Sequence, residues 1–180
     1  MFSHLPKHNR IAVAAIALAA VVASVWQLAM SATDSAQLNL LGSVAASVDV
    51  TVAGTVEAGV LNLSANHTEA ALKVADVTEM ANTPAGYTVT VTSANLAAGA
   101  RCVGAQPCLW NSAGSYAIPF SLLKGGATKS FSGSITTWSD TNAAQLAPLQ
   151  SAANIAYTVG GGILPQGAYA ESLTFTITSK

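Results

Sequence analysis

Apolar side chains in this sequence recur at every second position, and that spacing limits the fold more than any other feature. In GYTVTVTS, Tyr87, Val89 and Val91 alternate with Thr88, Thr90 and Thr92; in LTFTITSK, Leu173, Phe175 and Ile177 alternate with Thr174, Thr176 and Thr178. Successive side chains of a strand point to opposite faces, whereas a helix repeats every 3.6 residues. Each stretch therefore predicts a strand with one apolar and one threonine face. Further strands are expected over residues 59–63, 72–78, 116–123, 129–135 and 154–159. Turn formers separate them, among them Thr83-Pro84-Ala85-Gly86, Gly125-Gly126 and Leu164-Pro165-Gln166-Gly167. No long helical stripe appears; residues 141–153 admit a short helical turn, which Pro148 limits. Seven or eight short strands and no internal repeat predict one all-β domain, an antiparallel β-sandwich of immunoglobulin-like type.

Composition decides which functions such a sandwich can serve. Hydrophobic residues make up 51% of the 180 residues and charged residues 8%, roughly a third of the charged share of an ordinary globular protein. This excludes a disordered chain and a coiled coil. The formal net charge of −1 supplies no basic field. A nucleic-acid partner, which requires Lys and Arg to neutralise phosphates, is not expected.

The N-terminus reads as an export signal over residues 1–31. Lys7 and Arg10 precede an uncharged run from Ile11 to Trp26, and the small residues Ala29, Ser31 and Ala32 follow. Cleavage is expected after Ser31 or after Ala32; a retained signal anchor is the competing reading, because the apolar run is long enough to span a hydrocarbon core. Contact with a membrane is thus expected only during export. Cleavage leaves five basic residues against eight acidic ones and His67 as the sole histidine.

Downstream of the signal, QLNLLGSVAASVDVTVAGT alternates over fifteen residues from Leu38 to Val52. Ordinary strands run about five or six residues, so two consecutive strand uses are expected. Residues 48–54 can open the domain. Residues 37–46 then form an apolar-faced strand near a free end, of the kind that pairs with another chain. The domain boundaries expected are a signal over 1–31, an extension over 32–47 and the sandwich over 48–180.

Cys102 and Cys108 lie close together in RCVGAQPC. After an export signal a disulfide is the default, with a free reactive pair and a metal site as the alternatives; a zinc ion, however, would lack a full set of four N or S ligands. No catalytic motif is present: the chain contains no nucleophile elbow, zincin helix, phosphate loop or dinucleotide fingerprint. Asp76, Glu79 and Glu69, the last near His67, read as scattered solvated carboxylates. No catalytic residue, metal or cofactor is expected. Trp110 and Trp138 are candidates for stacking on a sugar, or for core and disulfide cover.

The segments VADVTEMANTPAGYTVTVTSAN and LPQGAYAESLTFTITSK resemble the pilin-like subunits of chaperone–usher fimbriae, in particular the archaic and spore-coat-U-like branch. The resemblance covers most of residues 37–180. It implies a sandwich lacking its last strand, completed by the N-terminal extension of the next subunit. Leu173, Phe175 and Ile177 would line the open groove. Leu38, Leu40, Gly42, Val44 and Ala46 would form the row donated into a neighbour. The implied partners are identical subunits in a homopolymer, with a periplasmic chaperone and an outer-membrane usher in transit to the cell surface. The alternative is a self-contained secreted sandwich that binds carbohydrate or protein through its loops.

Overall fold

Nine strands account for most of the described chain, and the two-residue period dictates which face of each is buried. The computed structural model describes residues 41–180, of which Val44–Lys180 form one compact unit. The strands are β1 (Val48–Gly54), β2 (Thr68–Ala81), β3 (Tyr87–Ser93), β4 (Cys108–Asn111), β5 (Tyr116–Lys124), β6 (Ala127–Lys129), β7 (Ile135–Thr141), β8 (Gln145–Thr158) and β9 (Leu173–Ser179). A one-turn 3₁₀ helix occupies Glu57–Gly59, and a single α-turn, α1, spans Ala94–Ala97. The export signal, together with Leu38 and Leu40, lies outside the described residues.

All strand pairs are antiparallel and form two sheets. The larger has the order β1-β2-β8-β5-β4, with β6 also on β5; the smaller has the order β7-β3-β9. Inward residues of β2 and β8 (Ala75, Val77, Ala153, Ile155 and Tyr157) meet Tyr87, Val89 and Val91 of β3 and Trp138 of β7 in one core. The fold is an all-β sandwich. Its sheets follow the immunoglobulin pattern, in which four strands A-B-E-D face C-F-G: β1, β2, β8 and β5 take the first four places, and β3 and β9 take those of C and F. Among the described residues no strand takes the place of G beside β9.

The strand expected over 59–63 does not form. The β1–β2 ladder ends where Thr55 N–H donates to the Val74 carbonyl at 2.8 Å, and without a neighbouring backbone the following residues keep only the 3₁₀ turn. Residues 129–135 are likewise split: β6 stops at Lys129, and a turn bridged by Ser132 and Ile135 leads into β7. The expected helical turn over 141–153 is mostly strand. Pro148 sits at an irregular step between the Glu79–Leu149 and Ala81–Gln145 pairs, where its missing N–H removes no regular ladder bond.

Glu79 is a further correction, because it is fully buried rather than solvated. Its place in the Val77, Glu79, Ala81 row turns it into the core, and three groups compensate the burial. Lys124 lies 3.0 Å from Oε1, the Ser139 hydroxyl donates to Oε1 at 2.7 Å and the Tyr87 hydroxyl donates to Oε2 at 3.1 Å. The Lys124 ammonium lies 5.2 Å from the centroid of the Trp138 ring. A register shift in the β3–β7 ladder, between Val89–Ser139 and Thr90–Thr137, leaves Trp138 as the extra residue. Such a bulge lets consecutive residues, here Trp138 and Ser139, serve the interior. Burial first, and the Glu79 charge second, push the Tyr87 hydroxyl up to about 12.

Candidate assembly groove

The place left open beside β9 can be recognised from burial. In the middle strand of the smaller sheet, Tyr87, Val89 and Val91 are at most 1% exposed. In the neighbouring edge strand, Leu173, Phe175 and Ile177 have the same inward parity but are only half-buried. They pair through β3 on one side: Ser93 with Leu173, Val91 with Phe175 and Val89 with Ile177. The other backbone edge of β9 has no strand partner among the described residues.

Beside that edge the core opens into a cavity of about 210 Å³, lined by Leu173 and Phe175 of β9, Val52 of β1, Val74 of β2, Ile155 of β8 and Phe120 of β5, among others. An adjoining cleft of about 530 Å³ shares Leu61, Leu109 and Glu171 with it. The lining of the first cavity is therefore sandwich interior between β1 and β9, which approach each other without pairing. Glu171 is tied down at this end: one carboxylate oxygen accepts the N–H groups of Asn95 (3.1 Å) and Ser172 (2.8 Å), and the other accepts the Ser93 hydroxyl (2.8 Å). Phe175 packs edge-on against Trp138, with ring centroids 5.2 Å apart. Trp138 is 1% exposed, so it belongs to the core and cannot stack on a sugar; Trp110 is half-buried and its backbone pairs with Ala170.

The structure thus brings Leu173, Phe175 and Ile177 together along one open edge. It places Val44 and Ala46 before β1, exposed and outside any strand, and Gly42 also lies in no strand. The first strand begins at Val48, as the sequence reading expects. Cys102 and Cys108 are joined in a disulfide with their Cα atoms 5.5 Å apart. Their loop is at the same end of the sandwich as α1, far from the root of the N-terminal extension. The role of Asn82 was not legible from sequence: its side chain oxygen accepts the Ser47 N–H at 2.6 Å, and its amide donates to the Ala45 carbonyl at 2.8 Å. The sequence signal for this was only an Asn between a strand and a Thr-Pro turn.

Among the described residues no group of three or more His, Cys, Asp or Glu side chains could hold a metal ion. His67 lies 3.7 Å from Glu69, and its Nδ1 is 3.3 Å from the Asn62 amide nitrogen. In comparison with known proteins, no family model matches the chain, and no curated protein matches it.

Proposed function

We propose that this protein is a structural subunit of an extracellular fibre or surface coat, assembled by β-strand addition. Residues 37–46 of one copy lie along the free edge of β9 in the next. The open β9 edge above an apolar cavity carries this reading, because an unpaired backbone and unfilled interior on the same side of a strand are what an incoming strand satisfies together. The donated row matches in kind. Leu38, Leu40, Val44 and Ala46, with Gly42 in the same row, offer alternate apolar side chains to Leu173, Phe175 and Ile177, and burying one Leu or Val side chain contributes about 1.5–3 kcal/mol. A chaperone and an usher would hold the groove before assembly.

The test places a charge in the donated row. Leu40→Asp would bury an unpaired carboxylate at every joint, at a cost of several kcal/mol, and filaments seen by electron microscopy should vanish. Asn39→Asp, on the opposite face by the two-residue period, should leave filament yield unchanged. Equal yields from the two variants would overturn the reading.

A further inference from the structure

An arm tethered to its own domain meets its own groove at an effective concentration on the order of millimolar, well above what a second copy usually offers. A fibre subunit therefore needs a geometric barrier against filling itself. The register of the sheets shows how close that danger lies. Val48 pairs with Ala81 at the start of β1, and Tyr87 pairs with Ser179 at the end of β9. Ala81 and Tyr87 flank a short turn, so the arm root and the last residues of β9 are at the same end of the sandwich. Residues 44–47 can span about 13 Å at roughly 3.3 Å per residue, against about 10 Å between packed sheets. Chain length alone would let the arm fold back beside its own β9.

Three hydrogen bonds oppose that return. Asn82 N–H donates to the Ser47 carbonyl at 3.0 Å, Ser47 N–H donates to Asn82 Oδ1 at 2.6 Å, and Asn82 Nδ2 donates to the Ala45 carbonyl at 2.8 Å. The backbone bond and its side-chain companions extend the β1–β2 pairing past Val48 and use up the residues that would have to turn. Val44, immediately before them, is 88% exposed. We propose that Asn82 is a positioning residue that clasps residues 45–47 along the line of β1, opposes their turning back toward β9 and so reserves the groove beside β9 for a second copy. This rests on the strand-addition reading. It narrows the donated row of that reading from residues 37–46 to a free arm ending at Val44, because placing Ala46 in a neighbour's groove would require the clasp to open.

The experiment compares the mature wild-type chain with Asn82→Ala and Asn82→Asp. Asn82 is only half-buried, and the wild type and both variants all retain the backbone N–H of residue 82. Asp retains the acceptor for Ser47 but loses the donor to Ala45. Each chain is diluted from denaturant to low concentration, and hydrogen exchange over residues 173–179 is measured on the monomer before polymer yield is followed by size exclusion. Asn82→Ala should give a monomer whose β9 amides are protected at least tenfold more than in wild type, with polymer yield reduced several-fold; Asn82→Asp should fall between. A merely structural role for Asn82 would leave β9 protection unchanged or lower it. Wild-type protection and polymer yield in Asn82→Ala would overturn the clasp and leave strand addition standing. A wild type that stays monomeric with open β9 amides, beside an Asn82→Ala monomer with protected ones, would overturn the fibre and leave the clasp standing.

Discussion

At the scale of single residues, the most consequential position is Glu79, a carboxylate in the middle of an apolar row. A buried charge is tolerated only when it is paired and its remaining hydrogen-bonding sites are filled. Lys124, Ser139 and Tyr87 fill them from both sheets, so the network joins the two layers of the sandwich. Glu79→Gln retains the shape but leaves the Lys124 ammonium without its counter-ion, and truncating one partner of a buried pair typically costs about 3 kcal/mol or more. Urea unfolding should show a clear fall in midpoint with little change in slope. A midpoint within experimental error of wild type would mean that the pair contributes nothing net. Lys124 sits over Trp138, so the same variant should alter tryptophan fluorescence in the folded protein.

At the scale of elements, what distinguishes the strands is which edge each leaves open. β8 is fourteen residues long and pairs with β2 over most of its length, whereas β5 covers only its last part, from Ala153 to Tyr157. Residues 145–151 therefore present a second free edge, with Leu146 75% exposed. Pro148 lies in that stretch and offers no N–H to a passing strand, a common way of protecting an edge from unwanted pairing. Pro148→Thr should leave the fold intact but increase irregular aggregation, read as light scattering without ordered filaments. Unchanged scattering would mean that the edge is protected by other means. The β9 edge differs in kind: it carries half-buried Leu173, Phe175 and Ile177 beside a cavity and has no proline.

At the scale of the whole molecule, the sandwich has a complete core on one flank and an unfilled one along β9. Deleting residues 37–46 should therefore remove assembly without removing the fold. The core residues Val77, Val89, Val91, Leu122 and Trp138 belong to strands within Val48–Ser179. Circular dichroism of the deleted protein should remain that of a β-sandwich, and size exclusion should show no polymer. Loss of the folded signal would place the deleted segment in its own domain's core. The two hydrogen bonds from the Asn82 side chain end at Ala45 and Ser47, so only the Ala45 contact is lost in this deletion.

The all-β class, the inward and outward faces of β3 and β9 and the approximate start of β1 near Val48 were legible along the chain, with a Cys102–Cys108 disulfide as the default expectation that the structure bears out. These are local properties: a two-residue period assigns faces within one strand, and two cysteines six positions apart need only a short loop to meet. What the tertiary structure alone decided is which strands are neighbours. That choice leaves β9 half-covered, denies residues 59–63 the partner that would have made them a strand and draws 145–153 into β8. It also brings Lys124, Ser139 and Tyr87 around Glu79 from three other strands, and sets Asn82 beside Ser47, thirty-five positions away. Backbone pairing between distant segments depends on how the whole chain closes on itself, and a period read along one segment carries no information about the identity of its partner.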